Sequence, residues 1–168
     1  LISDTLKIRF FPHVTHEGNG VRLYDTEGKR YTDLVSGVAV SNIGHRHPAV
    51  LQAIEEQLSK YMHLMVYGEY IQSPQVRLAF SLQEQLPENL DAVYFVNSGS
   101  EAIEGALKLA KRHTGRSEIA AFKNAYHGGT AGALSILGNE RLKQSFRPLL
   151  PEIRFLEFNN AKILQQIS

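Results

Sequence analysis

A chain of 168 residues, 43% hydrophobic and 21% charged, has the size and composition of an ordinary globular domain able to bury a sizeable core. Lys plus Arg (18) nearly balance Asp plus Glu (17), leaving a formal net charge of +1, which argues against a nucleic-acid partner. No apolar run approaches the roughly 20 residues of a membrane span.

The absence of cysteine excludes disulfides, thiolate metal sites and cysteine nucleophiles, and it fits a reducing, cytoplasmic setting. Leu1-Ile2-Ser3-Asp4 does not read as a signal peptide. The chain begins without methionine and stops inside what reads as an unfinished amphipathic helix, Ile163–Ser168. The expectation is a piece of a longer polypeptide.

In chain order, residues 8–34 read as short strands and turns. Val21-Arg22-Leu23-Tyr24 alternates apolar and polar, Asp25-Thr26-Glu27-Gly28 supplies a turn, and Arg30–Leu34 resumes the alternation, a hairpin signal. Residues 34–43 are apolar and small-residue-rich without clear period, which suggests a segment buried against something else, such as a second subunit. Pro48 opens a helix, with Val50, Leu51, Ile54, Leu58 and Tyr61 at helical spacing. A second helix covers about Pro74 to Leu86. Beyond Asp91 the pattern alternates strands (92–97, 118–123, 153–158) with helices (100–113, about 129–137, and one from near Asn160). Such alternation predicts an α/β fold with a parallel, helix-covered sheet, whose ligands sit at the carboxyl ends of the strands.

Two loops lie at such ends. Asn97-Ser98-Gly99-Ser100-Glu101-Ala102 joins an apolar strand to an amphipathic helix. Ser98 and Glu101 have capping-box spacing, so helix initiation alone accounts for them. The same turn leaves backbone N–H groups at the positive end of a helix dipole, with Gly99 allowing close approach and Ser100 adding a hydroxyl. Neither a Walker loop nor a dinucleotide fingerprint is present. The second loop, Asn124-Ala125-Tyr126-His127-Gly128-Gly129-Thr130, offers a ring and an imidazole. Tyr126 reads as a core residue or as a stacking platform beside the paired glycines. His127 reads as a structural, orienting or proton-transferring group. A phosphate cradle followed by a stacking platform suggests a flat, phosphorylated cofactor.

Other features have plainer readings. His45 and His47 could face one metal ion, but no third ligand is near and a loop before a helix explains them. Glu101 and Glu104 share a helix face and read as solvated carboxylates. Lys108, Lys111 and Arg112 suit a helix C-terminus.

Taken together, these residues resemble the class III (subgroup II) pyridoxal-phosphate-dependent aminotransferases of fold type I. The resemblance runs in order through Tyr24–Asp33, Ser36-Gly37-Val38-Ala39-Val40, Gly44-His45-Arg46-His47-Pro48, Asn97–Ala102 with Lys108-Leu109-Ala110, Thr114-Gly115-Arg116 and Tyr126-His127-Gly128. The Ser-Gly-Val-Ala-Val and Asn-Ile-Gly-His pattern is closer to the acetylornithine, ornithine and 4-aminobutyrate branch than to the glutamate-semialdehyde mutase branch.

The resemblance implies that Gly99 and Ser100 hold the phosphate of pyridoxal 5'-phosphate, with Ser98 also among the cofactor-binding residues, that Tyr126 stacks on its ring, and that His127 lies beside it. It implies a homodimer, with residues 35–40 and the aromatic stretch around Tyr67 and Tyr70 near the substrate entrance and the subunit interface. Residues 1–45 would belong to a small domain and 46–168 to the first part of the large cofactor domain. Gly129 stands where many relatives carry arginine and receives no role.

The family's Schiff-base lysine, pyridine-nitrogen aspartate and substrate arginine fall beyond this chain, and Lys123 does not match that lysine, so no catalytic residue is assigned and the chain alone is expected to be inactive. The implied activity is transfer of an amino group from an amino acid or omega-amine to a 2-oxo acid. Alternatives are other chemistry with the same cofactor (an epimerase, mutase or decarboxylase), a non-catalytic phosphate-binding or structural fragment, and a nucleotide-binding α/β domain.

Overall fold

A computed structural model describes residues 15–66 and 68–167. The chain forms two compact units, Leu1–Gln72 and Ser73–Ser168. The strands expected before residue 15, and Tyr67, lie outside the described residues.

The first unit carries an antiparallel meander of β1 (Thr15–Asn19), β2 (Arg22–Asp25) and β3 (Arg30–Thr32) in the order β1-β2-β3. The β2–β3 hairpin expected from alternation is present, with Leu23 opposite Tyr31. Asp25 locks its turn. One carboxylate oxygen accepts from the Glu27 and Lys29 N–H groups at 3.0 and 2.9 Å, and the other accepts from the Tyr31 hydroxyl at 2.8 Å. That bond is the main reason the Tyr31 hydroxyl titrates above its ordinary range.

The irregular stretch after β3 contains α1 (Ser36–Ala39), a single turn in which every residue has positive φ. It is therefore a left-handed turn, which costs about 1–2 kcal/mol for each non-glycine residue. Its apolar side chains are exposed within this chain: Leu34 by 90% and Val38 by 83%. Pro48 opens α2 (Pro48–Leu58) at the first helical position, as its ring geometry favours.

The second unit begins with α3 (Ser73–Gln83), which ends a few residues short of the expected Leu86. Residues 91–96 form no ladder among the described residues, contrary to the strand expected over 92–97. An apolar run satisfies the pattern of a strand, but a strand exists only where a neighbour takes its hydrogen bonds, and the described strands of this unit pair with each other. α4 (Gly99–Thr114) closes on Gly115, whose left-handed conformation (φ 68°) lets its N–H bond back to the Lys111 carbonyl.

β4 (Ile119–Phe122) and β5 (Ile153–Leu156) pair in parallel, Ile119 opposite Ile153, as the strand–helix alternation predicts. Their crossover includes α5 (Ala131–Ser135), shorter than the expected 129–137. The expected helix near Asn160 is a 3-10 segment, Ala161–Gln166, capped by the Asn160 side chain. Among the described residues the buried apolar core is Ala121 of β4, Leu156 of β5, Ala133 and Leu134 of α5, and Ile136 and Leu137 just after it. Lys143 is also buried, with 3% of its surface exposed. Its Nζ donates to the Ser135 carbonyl at 3.3 Å and sits 4.1 Å from the centre of the Phe155 ring. Burial lowers the pKa of this ammonium, partly offset by Glu140.

Candidate functional site

Ser98 sits at the N-cap of α4 in extended conformation, and its Oγ accepts the Glu101 N–H at 3.2 Å. Glu101 in turn accepts from the Asn97 backbone N–H at 2.7 Å and from the Asn97 amide at 3.2 Å. The capping box therefore forms with its return bond moved one residue back, to Asn97. The first intrahelical bond runs from the Ala102 N–H to the Ser98 carbonyl. The N–H groups of Gly99 and Ser100 consequently have no partner among the described residues, and they stand at the positive end of a helix of 16 residues. Space beside Gly99 is open.

The second loop leaves the carboxyl end of β4 and meets this turn at one side chain, Ser100. The Gly129 N–H donates to Ser100 Oγ at 3.3 Å. Ser100 Oγ accepts that bond, which leaves its own proton available to donate. Gly128 has φ +128°, and a Cβ there would fall 2.1 Å from Ser100 Oγ, so this close approach requires glycine. The sequence candidates Ser98, Gly99 and Ser100 are thus brought to the loop that carries Tyr126 and His127. Tyr126 is 74% exposed and does not fill the core of this unit. His127 is half-buried.

Sequence reasoning missed Glu104. It is not a solvated carboxylate: Oε1 accepts from the Gly132 N–H at 2.8 Å and the Ala133 N–H at 3.2 Å, at the start of α5. The nearby Thr130 hydroxyl is the largest cause holding the Glu104 carboxyl below its ordinary pKa; the two backbone bonds and Lys108 act the same way and outweigh desolvation. The available signal was spacing, since Glu104 lies one helical turn after Ser100 on the same face. Glu101 likewise has a partner, through the cap.

The remaining sequence candidates are engaged elsewhere. His45 Nε2 lies 2.7 Å from Asp33 Oδ2, and Arg46 pairs with Glu17 at 2.8 Å. Lys123 pairs with Glu157 on the surface. The apolar stripe of α4, Ile103, Ala106, Leu107 and Ala110, lines a groove of about 450 Å³ shared with Ile119 and Ala120 of β4.

The family model described as aminotransferase class-III matches residues 7–167. This chain belongs to that family. It is 42% identical over 154 residues to the acetylornithine aminotransferase of Archaeoglobus fulgidus, covering 92% of this chain and 40% of that protein. It is 38% identical over 152 residues to the [LysW]-aminoadipate semialdehyde/glutamate semialdehyde transaminase of Sulfolobus acidocaldarius, covering 90% and 38%. The chain thus spans about two fifths of the length of these curated relatives.

Among solved structures it resembles the (S)-enantioselective omega-transaminase of Thermomicrobium roseum, with TM-score 0.81 and 33% identity over 89% of this chain and 35% of that one. It also resembles the taurine:2-oxoglutarate aminotransferase of Bifidobacterium kashiwanohense, determined with PLP and glutamate, with TM-score 0.80 and 31% identity over 92% and 34%. The α/β arrangement is that of the fold type I enzymes, as the sequence led one to expect. No helix of the described residues is long and apolar enough to cross a membrane.

Proposed function

We propose that the whole protein transfers an amino group from an amino acid or omega-amine to a 2-oxo acid, using pyridoxal 5'-phosphate. The observation that carries this reading is the meeting of the two loops at Ser100: Oγ takes the Gly129 N–H, beside the N–H groups of Gly99 and Ser100, which have no partner among the described residues. A flat phosphorylated ring fits these residues. The two N–H groups and the Ser100 hydroxyl would hold the phosphate. Ser98 keeps the turn in place through its cap. The exposed Tyr126 ring would stack on the pyridine, and His127 beside it would fix its orientation. The bound cofactor supplies an electron sink for cleavage of a bond at the amine-bearing carbon. The work of this chain is to bind and orient it.

The naming of the acetylornithine relatives supports an amino-acid-like donor, and the cysteine-free composition supports a cytoplasmic enzyme. Residues 1–45 would serve in a small domain and 46–168 in the cofactor domain. The exposed apolar stretch 34–43 favours a homodimer, since a patch of this kind is normally covered.

The test is the absorption spectrum of the full-length protein with pyridoxal phosphate, then with glutamate. A visible band that bleaches on glutamate and returns with a 2-oxo acid is the expected result. A folded protein without a band sinks the reading. A band indifferent to both substrates points to different chemistry on the same cofactor.

A further inference from the structure

α4 holds the ring-bearing loop at two points, not one. Ser100 takes the Gly129 N–H, and Glu104, one turn further along, takes the N–H groups of Gly132 and Ala133. Ser100 and Glu104 share the helix face, so a single rigid element carries both the anion-facing turn and the anchors of the loop.

The fit is close. A Cβ on Gly132 would lie 2.2 Å from Glu104 Oε2, so a side chain at that position would exclude the carboxylate. α5 is a single short helix, Ala131–Ser135, and its Thr130 N-cap makes no side-chain cap bond of its own. Its first N–H groups would be orphans but for a carboxylate supplied by α4. Tyr126 and His127 lie between the β4 end, which the Lys123 N–H ties to the Leu156 carbonyl, and this anchored start of α5. With both ends held, the loop has few ways to swing its rings away from the α4 turn.

We propose that Glu104 is a positioning residue: its carboxylate, reaching from α4 to the start of α5, sets the place of Tyr126 and His127 relative to the Gly99–Ser100 N–H pair. The proposal rests on the cofactor reading above for its consequence in binding, but the anchor itself is read without cofactor. Glu104 acts through the loop and touches no reacting atom. What matters is reach: the acceptor must arrive at Gly132 and Ala133.

The experiment compares Glu104→Gln, Glu104→Asp and Glu104→Ala in the full-length protein. Hydrogen–deuterium exchange across 126–137 is followed without cofactor, and the affinity for pyridoxal phosphate is then titrated. Glu104→Gln keeps an acceptor at the same distance and is expected to hold the exchange pattern, with affinity within about threefold of the wild type. Glu104→Asp keeps the charge but withdraws it by one methylene. It and Glu104→Ala are expected to speed exchange at 129–133 and weaken cofactor binding about tenfold, the scale of a lost helix cap.

Unchanged exchange in Glu104→Asp overturns the anchor, as does Glu104→Asp outperforming Glu104→Gln, which would make charge and not reach the operative property. Loosened exchange with unchanged affinity overturns the positioning role and leaves only a structural one. Should Glu104→Ala fail to fold, the Asp and Gln variants decide. A wild type that binds no cofactor removes the functional reading, and the exchange data still judge the anchor.

Discussion

At Gly128 the backbone has φ +128° and would bring a Cβ within 2.1 Å of Ser100 Oγ. Its neighbour Gly129 has open space beside it and no positive φ. The paired glycines are visible in the sequence as room next to a ring. Which of the two is demanded is invisible there, because the demand comes from a side chain 28 positions earlier brought alongside by the fold. Gly128→Ala should strain the backbone by about 1–3 kcal/mol, push Ser100 away and weaken pyridoxal-phosphate binding at least about tenfold. Gly129→Ala should leave affinity nearly unchanged. Equal affinities for the two variants in a cofactor titration would remove Ser100 from the site. The same long-range logic hid Glu104: a carboxylate on a helix face reads as solvated until the helix it caps is seen beside it.

The start of α2 and the bounds of α4 followed from local signals, because Pro48 and Ser98 act on their immediate neighbours, whereas α3 and α5 are shorter than their apolar spacing suggested. Elements that depend on distant partners were less legible. The apolar run at 92–96 has strand composition but no ladder among the described residues. The left-handed turn α1 has no periodic signature, since nothing local favours positive φ at Ser36, Val38 and Ala39. It is held from outside. Asp33 Oδ1 accepts from the Val35 and Ser36 N–H groups at 3.0 and 2.7 Å, while Oδ2 faces His45 Nε2 at 2.7 Å. One carboxylate thus fastens both ends of the 34–43 segment. The Ser36 N–H bond, followed by His45, holds the Asp33 carboxyl below its ordinary pKa. A depressed folded pKa means that the ionised clamp stabilises fully above the unfolded value, about 3.9, and is lost as pH falls through the lower folded one. Asp33→Asn should therefore lower stability at neutral pH and flatten the decline of stability with acid. Denaturation followed from pH 6 down to pH 2 (about the span of carboxylate titration) checks this; parallel profiles for the two proteins would show that Asp33 does not hold the turn.

At the scale of the molecule, family and fold were legible because an ordered set of short motifs accumulates along the chain although each is weak alone. What covers the apolar surface was legible only as a need. In the first unit Leu34, Val35, Val38 and Val40 are exposed. Ile43, at the end of that segment, continues into a groove of about 600 Å³ along α2 with Val50, Ile54, Leu58 and Met62. An apolar surface running from a strained turn along the α2 groove is of the kind that a partner covers, and holding Ser36, Val38 and Ala39 in left-handed conformation is understandable where a contact across an interface repays it. In a two-fold dimer a change at one position acts twice, since the same patch serves both subunits. Val38→Glu places two charges in such an interface and should raise the dimer dissociation constant by well over tenfold. It should barely alter the fold of the isolated chain, where Val38 is 83% exposed. Light scattering on the full-length protein across a dilution series reads this directly: a dimer that Val38→Glu converts to monomer places the segment in the interface, and a wild type that stays monomeric at every concentration rejects it.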